Sequence, residues 1–430
     1  MNHPFRSCVR IGLVFLIILL VVLLGHMGRD ERGTGASDTP LPQVGDSIRL
    51  QPRVQLHPLP QCVQPALDGK LYACTEDPGR TIAWLVPPVA GAHAAFLLFH
   101  EAEQRMHLAY FAGHEGASAC GIALAALDAG GEQWSTPHIE SAESGRSAQN
   151  PVLFLASSGA MVLLHTSQKA GQLGVNQKSS RVQRLQRDER MKHWSAPTIV
   201  IAEGKGAFLR GPPVRWSETL LMVPVYYTPA GEFDGSGQMS AMLWSHDDCR
   251  TFEPSPSSIP GTHDAVGVQP SVTCAGQRCT ALMRSRVPGD DGRMFVMRAM
   301  SNDSGRHWSA AKPTILPNSN SGIASLLVTP VNPRDAYASH NSTPVLVVAF
   351  NGCHGYARTP LVVAASLDDG ATFPHMRTIV PASMDGEFSY PSLAFDGARI
   401  HLAFTWDRVT IAHTTFTLDW LMSGPPFSFL

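Results

Sequence analysis

Three near copies of one short pattern constrain this chain more than any other feature. "SHDDCRTF" runs from Ser245 to Phe252, "SNDSGRHW" from Ser301 to Trp308 and "SLDDGATF" from Ser366 to Phe373. All fit the frame Ser-x-Asp-x-(Gly)-x-x-(Trp/Phe). The closing aromatics Phe252, Trp308 and Phe373 lie 56 and 65 residues apart. Stepping back 58 residues, and then another 60, reaches Trp194 in "RDERMKHW" and Trp134 in "LDAGGEQW". These two copies are degraded but keep a Trp-Ser-x-Pro exit. Five marks at this interval read as a repeat in which each unit needs its neighbours to bury its apolar face.

Between the marks lie short apolar runs bounded by Gly, Asp and Asn, the signature of strands. The clearest unit reads "VQPSVTCAG", "RCTALMRS", "RMFVMRAMS", the box, then "KPTILP". A last unit, "SYPSLAFDG/RIHLAFTW/VTIAHTTF", lacks box and outer strand. Six four-stranded units predict an all-β, six-bladed β-propeller. The outer strand missing from the last unit is expected from "TIAWLVPP", which would close the ring and remove its open edge. The box itself is expected to lock the turn between strands three and four: its Ser and Asp bond the turn's backbone, its Gly supplies a positive φ, and its aromatic packs between sheets. Cys249 stands at the glycine position of one copy, so that turn is expected to be more strained or differently shaped.

The 37 glycines and 33 prolines suit a turn-rich β chain, and a net charge of −2 gives no reason to expect nucleic acid as partner. The amino terminus differs in kind. Arg6 and Arg10 precede an apolar run, Ile11 to Leu24, followed by "GHMGRDERG". This is the pattern of an export signal or a membrane anchor, and both readings stay open. Residues 1–27 are therefore assigned to a hydrophobic helical segment and 28–84 to a linker and lead-in, with the propeller over 85–430. An extracytoplasmic location follows, with the membrane as partner if the segment is retained. Cys62 could pair with Cys74, and Cys274 with Cys279 across "AGQR". No CxxC, HxH or HExxH spacing is present, so neither a metal nor a cofactor is expected.

In a propeller, side chains at the starts of innermost strands and the ends of second strands meet near the axis. The strand starts offer His93, Asn150, Arg210, Gln269, Ser321 and Tyr390. The second strands offer His114 with Glu115, Gln168, Tyr226 with Tyr227, Arg284 with Arg286, Arg358, and Asp407 with Arg408. Such a ring of polar, charged and aromatic groups exceeds what packing requires.

The boxes resemble the Asp boxes of the sialidase (neuraminidase) superfamily. The runs "QNPVLF", "FLRGPP", "VQPSV", "LMRSR", "LPNSNSGI", "RTPLVVAASLDDG" and "EFSYPSLAFDGARIHLAFTW" resemble its bacterial sialidase-like members over residues 85–416. The resemblance implies retaining hydrolysis of a glycan with a terminal carboxylated sugar. Three arginines would grip the carboxylate, since a guanidinium fork fixes orientation as well as charge. Arg284 and Arg358 match best, with Arg210 as the third. The nucleophile would be a Tyr made reactive by a carboxylate, which points to Tyr390 and Glu387. His93, His114, Glu115, Asn150 and Gln269 would complete the substrate site. The chain departs from the family in its first blade. "HEGASAC" puts His114 where an arginine is usual and Ala119-Cys120 where the acid is expected. Asp264 in "GTHDAVGVQP", or His93, His114 or Glu115, would then have to protonate the leaving group. The alternative is a non-catalytic propeller that binds glycan or protein.

Overall fold

The computed structural model describes residues 62, 66–171, 177–188, 190, 192–229, 237–254, 256–329 and 344–424. The apolar run Ile11–Leu24 lies outside them. Among the described residues, no helix is long and apolar enough to cross a membrane.

The chain forms six antiparallel sheets arranged as the six blades of a propeller. The fourth blade shows the plan: Val268–Ala275, Arg278–Arg284, Phe295–Ser301 and Lys312–Pro317 follow one another outward from the axis. In the third blade the innermost strand is split into Ala207–Leu209 and Val214–Arg215. Pro212 and Pro213 fall in the gap, where they have no N–H to give to the ladder. The last blade, Phe388–Phe395, Ile400–Trp406 and Thr410–Phe416, takes its fourth strand from Thr81–Trp84, as "TIAWLVPP" predicted. Tyr72–Ala73 adds a fifth strand outside it. Cys62 is bonded to Cys74 and Cys274 to Cys279, while Cys120, Cys249 and Cys353 are buried thiols outside these disulfides.

The boxes hold the turns from third to fourth strands. Ser366 Oγ accepts from Gly370 N at 2.8 Å and donates to Asp368 Oδ1 at 2.7 Å. Asp368 accepts from Thr372 N at 2.8 Å and Thr372 Oγ1 at 2.6 Å, and Phe373 is buried. Gly370 and Gly305 stand at φ 83° and 86°. Cys249 adopts φ 63° and still donates to Ser245 Oγ at 2.8 Å. Of the two outcomes expected at that position, the turn keeps its shape and the cysteine takes the left-handed backbone that favours glycine. Replacing Asp368 with alanine removes three hydrogen bonds from a half-exposed turn. It is expected to cost about 1–2 kcal/mol in a denaturant titration while leaving any activity at the axis unchanged.

Candidate functional site at the propeller axis

A second repeat, finer than the box, builds the site. In four blades the innermost strand shifts register against its neighbour by one residue, at His93/Phe96, Gln149/Val152, Val268/Ser271 and Ser389/Ser392. One residue within each bulge is left-handed: Ala94 (φ 54°), Asn150 (48°), Gln269 (56°) and Tyr390 (53°). In three of the four, proline follows, as Asn150-Pro151, Gln269-Pro270 and Tyr390-Pro391. A bulge kinks its strand and re-aims a side chain. Here it delivers Asn150, Gln269 and Tyr390 to one axial pocket, which His93, Glu115, Tyr226, Arg284 and Arg286 also line. The fifth blade contributes an approach rather than a bulge. A Cβ on Gly322 would come within 3.2 Å of Tyr390 Cδ1 and Gln269 Oε1, so glycine lets the tyrosine ring lie against that strand.

Tyr390 is buried at the centre. Its Oη accepts from Arg284 Nη1 at 2.6 Å and from Gln269 Nε2 at 3.3 Å. Three guanidinium groups surround its ring, Arg358, Arg210 and Arg284 at 5.2, 5.3 and 5.9 Å from the centroid, and the His93 ring lies 4.3 Å away. Burial alone pushes the phenol pKa up, but the charges of Arg284 and Arg358 outweigh it and hold the hydroxyl below its ordinary range. An oxygen that receives two donors beside cations is prepared to carry negative charge.

Arg284 makes four hydrogen bonds, every one to a neutral acceptor: Nε and Nη2 to Asn320 Oδ1 (2.9 and 2.6 Å), and Nη1 to Gln269 Oε1 (3.2 Å) and Tyr390 Oη. Its charge is buried with no carboxylate in ion-pair range among the described residues, a costly state that an incoming anion would relieve. On the other side of Tyr390, cations and carboxylates alternate. Glu387 Oε1 accepts from Arg358 Nη1 at 2.8 Å and from Ser389 Oγ at 2.8 Å. Its Oε2 accepts from Arg408 Nε at 2.8 Å, and Arg408 Nη1 continues to Glu115 Oε2 at 2.7 Å. Burial would raise the Glu387 pKa, yet Arg358, His93 and Arg408 hold it far below the ordinary carboxylate range. His93 bonds Thr405 Oγ1 at 2.8 Å, and burial pushes its pKa well down. Among the described residues, Arg358 pairs with Glu387, and Arg408 bridges Glu387 and Glu115.

The axis thus brings together Tyr390, Arg284, Arg358, His93, Glu115, Asn150 and Gln269, but four expectations need correction. The Arg210 guanidinium does not line the pocket. It donates to the bulge carbonyls of Ala95 (2.9 Å) and Pro391 (2.7 Å), and borders a separate, mostly apolar cavity between the innermost strands. Glu387 bonds arginines and Ser389 instead of the Tyr390 hydroxyl, because two residues along a strand from Ser389 its carboxylate meets Arg358 and Arg408 first. The Asp264 side chain is 62% exposed, and its carboxylate is taken by Gly237 N at 3.0 Å and His263 at 2.7 Å. His114 is exposed on its loop and outside the pocket lining. Ala119 and Cys120 offer no acid, and Cys120 is buried with its thiol pKa pushed up to about 12. Gln149, Gln177, Phe208 and Asn320 were not anticipated. The recurring residue-before-proline pairs were the signal that links Gln149 and Asn150 to Gln269 and Tyr390.

Among known sequences, the profile of the BNR repeat-like domain family matches residues 104–402. No curated protein matches the chain. Among solved structures, the NanB sialidase of Streptococcus pneumoniae superposes with a TM-score of 0.60 at 12% identity, covering 77% of this chain and 69% of that one. A Dyadobacter fermentans protein of unknown function gives 0.59 at 13% identity, covering 76% of this chain and 95% of that one. Trypanosoma rangeli sialidase gives 0.58 at 14% identity; 78% of this chain is covered but only 56% of the trypanosomal one. At such identities the likeness is one of fold.

Proposed function

We propose, for a chain that belongs to the BNR repeat-like domain family, that it is a sialidase-like glycoside hydrolase removing a terminal carboxylated sugar with Tyr390 as nucleophile. One observation carries the reading. The buried Arg284 guanidinium has no carboxylate partner among the described residues and donates directly to the Tyr390 oxygen. A carboxylated sugar would supply the missing anion and bring its anomeric carbon beside that oxygen. Arg358, 5.2 Å from the ring centroid, is the second cation of the cradle. The reading implies a retaining reaction in which the protein forms and then releases a tyrosyl glycoside. A Trypanosoma rangeli sialidase of this fold has been solved as a covalent intermediate with 2,3-difluorosialic acid.

A second reading, a non-catalytic glycan-binding propeller, draws on Ala119-Cys120 and on the ionic capture of Glu387 by arginines. Turnover of an umbelliferyl α-sialoside decides between them. Release of umbelliferone that 2,3-difluorosialic acid blocks supports the hydrolase. Saturable glycan binding without release supports the lectin-like protein. The two disulfides and the amino-terminal apolar segment support a further proposal, that the propeller works outside the cytoplasm.

A further inference from the structure

Resting on that hydrolase reading, we infer that Glu115 is the site's proton carrier, moving one proton between Tyr390 and the departing glycosidic oxygen. The reaction needs two proton movements, off the phenol and onto the leaving group. The usual solution is two carboxyl groups. This axis does not have two to spare. Glu387 is held on both oxygens, by Arg358 and Ser389 on one and Arg408 on the other, and is absent from the pocket lining. Asp264 faces solvent. Glu115 is the one carboxylate among the described residues that line the pocket with Tyr390. Its side chain keeps 27% of its exposure, and Arg408 Nη1 at 2.7 Å holds one oxygen. The other oxygen has no hydrogen bond among the described residues.

A base at rest and an acid within the same step is what such a carboxylate can be. As the Tyr390 oxygen bonds to the anomeric carbon and the bond to the aglycone breaks, the phenol proton passes to Glu115 and on to the departing oxygen. Glu115 ends as it began. In the second half, water bonds to the anomeric carbon, the tyrosyl bond breaks, and a proton of that water returns through Glu115 to Tyr390. Protons and electron pairs balance with no further reagent. The charged or titratable groups around Tyr390 come from several blades: His93 from the first, Arg210 and Tyr226 from the third, Arg284 and Arg286 from the fourth and Arg358 from the fifth, while Glu387 and Arg408 of the sixth are joined to Arg358 and Glu115. None but Glu115 combines a free carboxylate oxygen with a place in the pocket wall.

The test compares wild type with Glu115→Gln and Glu115→Asp on two α-sialosides, one linked to lactose and one to umbelliferone, across pH 5 to 10. At neutral pH, Glu115→Gln is expected to lower kcat/KM on the lactose-linked substrate by about 10²-fold or more. Umbelliferone leaves without a proton, so the loss on that substrate is expected to be smaller. It should also shrink as pH rises and Tyr390 ionises unaided. Glu115→Asp, which keeps the carboxylate, should recover part of the loss. The inference is overturned if Glu115→Gln stays within about threefold of wild type on both substrates. Equal losses on both, with an unmoved pH profile and no recovery in Glu115→Asp, overturn it as well. Wild type that cleaves neither substrate sinks the hydrolase reading itself, and that result is seen before any variant is made.

Discussion

Replacing Tyr390 with phenylalanine is expected to lower kcat/KM on an umbelliferyl α-sialoside by about 10³-fold or more. The ring and its packing against Gly322, His93 and the three guanidinium groups survive this change, so the carboxylate cradle keeps its shape. Only the oxygen goes, and with it the acceptor that Arg284 and Gln269 share. Leaving two buried donors short of a partner costs about 1–3 kcal/mol of stability, which thermal unfolding should register. The chemical loss is separable from that. Wild type exposed to 2,3-difluorosialic acid should gain the mass of one sugar on a peptide containing residue 390, and the variant should gain none. A variant that retains turnover, or a wild type labelled elsewhere, removes Tyr390 from its role.

Arg284→Ala is expected to raise KM, or the dissociation constant for a carboxylated sugar, by about 10²-fold or more, since a desolvated charge-assisted contact of this kind is lost entirely. It should lower kcat as well, because the Tyr390 oxygen loses its closest donor and nearest cation. The sign of the accompanying pH effect is fixed by the same geometry. Removing Arg284 lets burial raise the phenol pKa, so remaining activity should shift toward alkaline pH. Lysine should not restore the wild type. Asn320 is met by Nε and Nη2 of one planar fork, and Gln269 and Tyr390 by its Nη1, an arrangement a single ammonium cannot span. Unchanged affinity for carboxylated sugars in Arg284→Ala would remove the anion-binding basis of both functional readings.

The propeller was legible from the sequence because its signals are local and repeated. A box of eight residues makes its own turn, so its spacing counts blades before any long-range contact is known. The closing strand could be read by elimination, since the last unit lacked one. The site was legible only to the level of which residues reach the axis. Tyr390, Arg284, Arg358, His93 and Glu115 were found, but their partners were not. Whether a side chain turns to the pocket or to another partner depends on contacts between blades that the local sequence does not show. Arg210, from the third blade, is consumed by carbonyls of the first and sixth. Glu387 is taken by arginines of the fifth and sixth. Asp264 looked close to an inner strand in the sequence, yet a left-handed backbone at φ 57° swings it outward.

The closing strand also sets a timetable for the growing chain. Thr81–Trp84 is among the first of the described strands to be made, and its partner Thr410–Phe416 is the last, with Thr414 333 positions after the Thr81 whose carbonyl it bonds. At about 5–20 residues per second, synthesis leaves the early strand waiting roughly 15–70 s for its mate. Five blades can collapse in order of emergence during that interval, but the ring stays open as a crescent with an unpaired rim at each tip. The axial pocket draws on both tips, Glu115 and His93 from the first blade and Tyr390 from the last. Under the hydrolase reading, the complete pocket exists only once the first and last blades have met, so binding of a carboxylated sugar would report that meeting.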